Sequence, residues 1–475
     1  MSADPCFFVP SPSEILSDLF SNPSTQPPVF PKAWTATALL TPFGGLNASA
    51  PLTTSDELVV ATIYYFPIGR GGVLRIRLYL LESLLYYDFF FQTDPETGQT
   101  IWYWLISDPS DPNPNAKWNN LFGPFPTTAQ MLAPTFLGDK QFSYVGTWNV
   151  VNQPCDGFSA TTGQAGTWFS FLAQTNTPSR IMNVDDTNDF KIPVLGAYYL
   201  VNFITFNPNP SLDVATIERA AENNAPSGNA PSPMLTLQDI QTAMSNPPSG
   251  ARQMSCTPAD IAAIIPGISH PQSQPRPPAW SDQVLSNCYM MGQQTYPFYC
   301  QVYYDYTVNK SQTSVFVTQD TSGQYNSRQD MVLPRGTVGP ALNYDWTGND
   351  WTASCYTPGG GDVPMPVPNF VQAGGGLCRA VIRDNPYFGQ GRVTIWSVSL
   401  GGVSDFWYWF DARQRGVVFS LAPASSLTMI DYQTFVQTPN FQPCIFDEPT
   451  TGLPECTDAV AEIRQKLMFI PKGGF

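Results

Sequence analysis

Val60-Ala61-Thr62-Ile63-Tyr64-Tyr65-Phe66 is an apolar, aromatic run, and its pattern returns in Phe298-Tyr299-Cys300-Gln301-Val302-Tyr303-Tyr304-Asp305-Tyr306. β-Branched and aromatic side chains fit a pleated surface, so both runs read as strands. The two Tyr-Tyr pairs lie 239 positions apart. Other anchors recur in the same order. Trp118 precedes Gly123-Pro124, and Trp351 precedes Pro358-Gly359. Met131-Leu132-Ala133-Pro134-Thr135-Phe136 is echoed by Met365-Pro366-Val367-Pro368-Asn369-Phe370, and Trp168-Phe169-Ser170-Phe171 by Trp407-Tyr408-Trp409-Phe410. Their offsets are 233, 234 and 239. This order predicts two copies of one β-rich unit. Trp148 and Trp396 look like a further pair, yet they are 248 apart and break the spacing.

Strands are expected outward from these anchors at 58–66, 73–81, 85–92, 100–106, 142–151, 167–173, 180–184 and 197–206. A second set is expected at 298–307, 314–319, 379–383, 392–400, 406–410, 416–421 and 427–436. Turn signals such as Gly69-Arg70-Gly71-Gly72 and Asp94-Pro95-Glu96-Thr97-Gly98 separate them without intervening helices. That pattern reads as antiparallel sheet curling on itself. The fold class expected is mainly β with a few helices. Two strongly curved antiparallel sheets, open-barrel or lipocalin-like, would be joined by a helical, Pro-rich insert. Residues 1–56 form an N-terminal arm with a short helix at 11–20, 57–206 a first β domain, and 207–290 a helical linker or lid. Residues 291–443 form a second β domain and 444–475 a helical tail. Three helix patterns in 207–290 begin at Ser211, Thr236 and Thr257. The last has Pro258 at its first position and Asp260 as capping-box partner.

Composition narrows the function classes. Only 12% of the 475 residues are charged, while 13% are aromatic, the reverse of a disordered chain. The net charge is −15, and 7 of the 22 basic residues are Lys, with no basic stripe, so a nucleic-acid partner is not expected. No run of 18 apolar residues marks a transmembrane segment, and the N-terminus does not read as a signal peptide. The chain is expected to be soluble, in a compartment left open. Nine cysteines include no Cys-x-x-Cys pair, so their pairing is also open.

Catalytic groups are scarce. The single histidine, His270, sits in a Pro-rich connector and reads as a solvated loop residue, which disfavours triad chemistry. The acidic turn Asn183–Asp189 gives a weak calcium candidate in Asp185, Asp186 and Asp189, against the plainer reading of a polar turn. The Gly triplets at 359–361 and 374–376 lack the Lys-Ser/Thr of a phosphate loop, and no cofactor is expected. Trp102-Tyr103-Trp104, Trp168-Phe169 and Phe406-Trp407-Tyr408-Trp409-Phe410 place aromatics on both faces of their strands. One face fills a core; the other meets helices, a partner or an apolar ligand.

The closing strand Met429-Ile430-Asp431-Tyr432-Gln433-Thr434-Phe435, with Val436-Gln437-Thr438-Pro439-Asn440-Phe441-Gln442-Pro443-Cys444 after it, resembles the end of ependymin-related proteins. Tyr303-Tyr304-Asp305 resembles their opening strand. Those proteins share a broad architecture with the LolA-like lipoprotein carriers. The resemblance implies a curved antiparallel sheet covered by helices, with an apolar pocket between.

The leading reading is a non-enzymatic binder or carrier of an apolar or amphipathic small molecule such as a lipid, pigment or terpenoid. Its candidate lining residues are Trp102, Trp104, Trp168, Trp407 and Trp409. Two alternatives stay open: a cyclase-type enzyme acting by substrate positioning, and a structural or shell subunit.

Overall fold

The computed structural model describes residues 26–42, 57–68, 71–93, 100–104, 121–125, 134–139, 141–162, 165–184, 198–208, 210, 254–292, 298–307, 310–317, 325–332, 338–339, 341–347, 350–356, 363–364, 367–400, 404–423 and 428–440. The first part of the chain gives β1 (Trp34–Pro42), β2 (Val59–Ile68), β3 (Gly71–Leu80), β4 (Leu85–Thr93), β5 (Thr100–Trp104) and β6 (Leu121–Phe125). A short helix follows, α1 (Phe136–Asp139). Then come β7 (Ser143–Val150), β8 (Gln153–Thr162), β9 (Ala165–Leu172), β10 (Pro178–Val184) and β11 (Tyr198–Asn207). A connector holds β12 (Met254–Ser255), α2 (Pro258–Ile264) and β13 (Ile268–Ser269). The second part gives β14 (Gln283–Met291), β15 (Phe298–Asp305), β16 (Lys310–Val317), β17 (Tyr325–Val332), β18 (Val338–Gly339), β19 (Ala341–Thr347), β20 (Asp350–Tyr356) and β21 (Val363–Pro364). After α3 (Phe370–Ala373) it closes with β22 (Leu377–Arg383), β23 (Arg392–Leu400), β24 (Ser404–Phe410), β25 (Gly416–Pro423) and β26 (Thr428–Gln437).

The protein is mainly β, with two large antiparallel sheets. The first runs β6-β5-β4-β3-β2-β1-β11-β10-β9-β8-β7, with β12 added to β4. The second runs β13-β22-β23-β24-β25-β26-β14-β15-β16-β17-β19-β20. Reversed, the second order matches the first strand for strand. In each, the opening strand lies mid-sheet, one meander grows from its flank, and a second meander returns to its other flank. The sheets are open, because their terminal strands do not pair with each other.

The likeness extends to irregularities. A bulge between Thr37 and Ala38 has a counterpart between Asn287 and Cys288. The bulge between Tyr144 and Gly146 recurs between Cys378 and Ala380. Thr37 N–H donates to Thr205 Oγ1, and Asn287 N–H to Thr434 Oγ1, each at 3.2 Å. Phe30 N–H donates to the Pro134 carbonyl just before α1, and Trp280 N–H to the Pro368 carbonyl just before α3. Register also explains the misfit of Trp148 and Trp396. Trp148 lies on β7, opposite Cys155, whereas Trp396 lies on β23, opposite Tyr408. They occupy different strands of the repeat and are not counterparts.

Strand alternation sorts the side chains onto two faces. One face of the first sheet wraps a cluster around Phe30, Phe136 and Leu137, drawing in Ile76 of β3, Val59 of β2, Phe203 of β11, Phe169 of β9 and Phe158 of β8. In the second sheet the same face gathers around Phe370 and Val371, with Met290, Trp396, Tyr408 and Phe419. The opposite faces of both sheets merge into one further cluster, a seam that joins them.

The connector staples that seam. β12 pairs with β4 of the first sheet, and β13 with β22 of the second. Between them, α2 starts at Thr257, whose side chain accepts from Asp260 N–H while Asp260 accepts from Thr257 N–H, the capping box expected from the sequence. Ile261 and Ile265 join the seam cluster, so this helix packs between the sheets rather than over a wrapped face. The patterns at Ser211 and Thr236, and the helices expected at 11–20 and near the C-terminus, lie outside the described residues. Both central strands, β1 and β14, begin before the starts expected at 57 and 291. His270 is half-buried, its Nδ1 3.1 Å from the Arg379 carbonyl, and so is anchored rather than solvated.

Candidate functional site

The seam is built from alternate residues of equivalent strands. From the first sheet come Leu39, Trp148, Cys155, Trp168, Met182 and Leu200. From the second come Tyr289, Ile395, Trp407, Trp409, Val418 and Met429. Positions of the two sheets correspond through their registers. Trp168 lies opposite Met182, and Trp407 opposite Ser420. Ser170 lies opposite Arg180, and Trp409 opposite Val418. Leu39 lies opposite Asn202, and Tyr289 opposite Asp431. Thus Trp168 corresponds to Trp407, Ser170 to Trp409, Arg180 to Val418, and Asn202 to Asp431. At three of these four positions, all but Trp168 and Trp407, a larger or charged side chain on one face meets a smaller or neutral counterpart on the other, which lets two like faces interlock.

At the centre of this apolar seam lies an ion pair. Arg180 Nη1 donates to both carboxylate oxygens of Asp431 at 2.6 Å, and both residues are only 1% exposed. Arg180 Nε donates to Asn202 Oδ1 at 2.7 Å, and Nη1 also lies 3.2 Å from Met429 Sδ. Arg180 therefore bonds Asn202 and that residue's counterpart in the other sheet. Burial pushes the Asp431 carboxyl above its usual range, against the opposing pull of Arg180. The same burial pushes the nearby Cys155 thiol up to about 12 and raises the Tyr387 phenol, whose hydroxyl donates to the Ser179 carbonyl at 3.5 Å.

The polar cluster is incompletely satisfied. Among the described residues, Arg180 Nη2, Asn202 Nδ2, Thr41 Oγ1 and Ser420 Oγ are buried without a hydrogen-bond partner. All four belong to strands of the seam. Arg180 and Asn202 are cross-strand neighbours, Thr41 lies opposite Leu200, and Ser420 lies opposite Met429. A buried polar group left unmade costs about 1–3 kcal/mol, and two of the four, Arg180 Nη2 and Asn202 Nδ2, belong to the ion-pair network itself, so donors are presented inside an apolar wall.

Of the five tryptophans expected as lining, three lie in the seam. Trp168, Trp407 and Trp409 are buried in the seam, and Trp168 Nε1 donates across it to the Gly292 carbonyl at 3.2 Å. Trp102 and Trp104 stand on β5 opposite Phe91 and Phe89, in the cross-strand rows of Leu74 and Ile76. Asp185, Asp186 and Asp189 lie outside the described residues. Sequence reading did not single out Arg180, Asn202 or Asp431. The one available signal was a lone Arg and a lone Asp within otherwise uncharged strands. No helix among the described residues is long and apolar enough to cross a membrane.

No family model matches the sequence, and no curated protein matches it. Solved structures give distant likenesses. A DUF1329 family protein from Desulfovibrio piger is 8% identical, covering 35% of this chain and 90% of its own, with a TM-score of 0.21. MucB, in complex with MucA(peri), is 9% identical over 85% of this chain and 87% of its own, with a TM-score of 0.20. Kievitone hydratase from Nectria haematococca is 12% identical over 88% and 94%, with a TM-score of 0.13. Likenesses of this size do not establish a common fold, and membership of the ependymin-related proteins has no family model behind it.

Proposed function

We propose that this chain binds and carries an apolar or amphipathic small molecule, lipid-, pigment- or terpenoid-like, in the seam between its two sheets. One observation carries the reading: an aromatic and aliphatic wall drawn from both sheets holds an ion pair, and its Arg180 and Asn202 each keep an unpartnered donor. Small-molecule sites have that composition, mostly apolar with a few convergent polar groups. The wall also explains why a chain so poor in charge and histidine is so rich in Trp and Tyr.

The test has two arms. Organic-solvent extraction of the purified native protein, followed by mass spectrometry, should release a stoichiometric apolar compound. Titration with 2-ethylanthracene, an uncharged aromatic hydrocarbon, should give saturable quenching of Trp emission by energy transfer. An empty extract together with non-saturable quenching would overturn the proposal.

A further inference from the structure

We propose that the molecule held in the seam presents a carbonyl oxygen, as a ketone, aldehyde or ester on an apolar body, and that Arg180 Nη2 and Asn202 Nδ2 donate to it. This rests on the seam being a binding site, and deepens that reading by naming the recognised group.

The argument starts from what the two side chains have left over. Arg180 uses Nε on Asn202 and Nη1 on Asp431, which leaves Nη2 without an acceptor. Asn202 uses its Oδ1 to accept from Arg180, which leaves Nδ2 without one. Both leftovers are donors, and they sit on cross-strand neighbours of the same face. A guanidinium has no acceptor, so only an oxygen or similar lone-pair group can satisfy it. One carbonyl oxygen offers two lone pairs, enough for both donors.

Charge decides between a neutral and an anionic oxygen. The guanidinium charge is already balanced by Asp431 at 2.6 Å. A carboxylate head group would add a second negative charge beside that buried carboxylate, which pairs with no second cation among the described residues, and burying an unbalanced charge is strongly unfavourable. A carbonyl adds none. The surroundings (Met182, Leu200, Trp168, Trp407 and Met429) require the rest of the molecule to be apolar.

Three probes of one ring system test this: 2-acetylanthracene, 2-ethylanthracene and 2-anthracenecarboxylate. They differ in one group at one position. The ketone should bind about tenfold or more tighter than the hydrocarbon, the change expected from one or two hydrogen bonds to a charged or amide donor. The carboxylate should bind more weakly than the ketone. In Asn202→Leu, which removes one of the two donors, the ratio of ketone affinity to hydrocarbon affinity should fall. In the double variant Arg180→Val/Asp431→Asn, which gives this face the uncharged residues found at the equivalent positions of the two sheets, the ratio should fall likewise, because only the carboxamide donors remain. Equal affinity for ketone and hydrocarbon in the native protein overturns this inference and leaves the binding reading standing. A carboxylate that binds more tightly than the ketone overturns it in favour of anion recognition. Failure of all three probes to bind removes the binding reading and this inference with it.

Discussion

Arg180 Nη1 holds the carboxylate of Asp431 at 2.6 Å, while its Nε holds Asn202, the residue that occupies Asp431's place in the other sheet. One side chain thus bridges two equivalent positions, and it can do so only because its own counterpart is Val418. Two guanidinium groups on like faces would repel. Two carboxamides would leave no charge to pair.

This predicts strong coupling across the seam. Arg180→Val removes one partner of a buried pair and leaves Asp431 uncompensated, which should cost about 3–5 kcal/mol. Arg180→Val/Asp431→Asn removes both charges and should cost clearly less than the sum of the single changes. Denaturant unfolding of the four species in a double-mutant cycle measures the coupling. Simple additivity would show that the pair does not hold the sheets together.

Gly157 is required by its neighbour. A Cβ placed there would lie 2.0 Å from Cη2 and 2.2 Å from Cζ3 of Trp148, which is itself fully buried in the seam. Gly157→Ala should therefore destabilise the protein by about 1–3 kcal/mol through overpacking. The indole has to shift, so near-ultraviolet circular dichroism should change as well. Trp148→Phe in the same background should recover part of the loss, because the smaller ring vacates the contact.

Much of this architecture was legible in the chain. Aromatic, β-branched runs marked β2 to β5, β7, β9 to β11, β15, β16 and β22 to β26, and the recurrence of Tyr64-Tyr65 as Tyr303-Tyr304, of Phe136 as Phe370 and of Trp168 as Trp407 follows the shared strand order. The strands β6, β8, β17, β19 and β20 were not legible, nor were the central strands β1 and β14. In β1, Trp34–Pro42 alternates Ala, Thr and Leu behind prolines, and β14 follows a Pro-rich connector, so neither carries the aromatic signature. The wall of the candidate site was half visible, through Trp168, Trp407 and Trp409. Its polar centre was not, because a lone Arg180 and a lone Asp431 are 251 residues apart and meet only through the docking of two sheets. Sequence spacing carries no record of that contact.

Cys288 and Cys300 form a cross-strand disulfide between β14 and β15. The equivalent cross-strand pair between β1 and β2 is Ala38 and Ala61. Cys288→Ala/Cys300→Ala thus restores what the other sheet already uses, and should fold to the same structure. Its cost should be about 2–4 kcal/mol, because the loss is that of a short-loop cross-link. Reduction of the native protein should lower the denaturation midpoint by a similar amount, with the far-ultraviolet spectrum preserved. A misfolded alanine variant would show that the two strand pairs are not interchangeable.

Gln433 guards the exposed edge of the first sheet. β7 is its terminal strand, and the Gln433 carboxamide accepts from Asn149 N–H at 2.8 Å and donates to the Asn149 carbonyl at 2.9 Å, as a neighbouring strand would. The matching edge of the second sheet, β22, is covered by β13. Unpaired edges recruit other chains. Gln433→Leu removes donor and acceptor together, so it should raise the tendency to self-associate, seen as concentration-dependent light scattering, and lower stability by about 1–3 kcal/mol.

Asp431 also fixes the sign of one pH dependence. Burial raises its folded-state pKa above the ordinary value of 3.8, so the folded chain keeps this proton to a higher pH than the unfolded chain. The stability that follows is fully present below the unfolded value and is lost as pH rises through the folded one. Asp431→Asn has no such proton. The unfolding free energy of the native protein minus that of Asp431→Asn should therefore fall with rising pH above the ordinary carboxylate range, then level off. Urea midpoints for both proteins across the acidic range measure that difference. A difference that instead grows with pH would mean that the attraction of Arg180 outweighs burial and holds the carboxyl below 3.8.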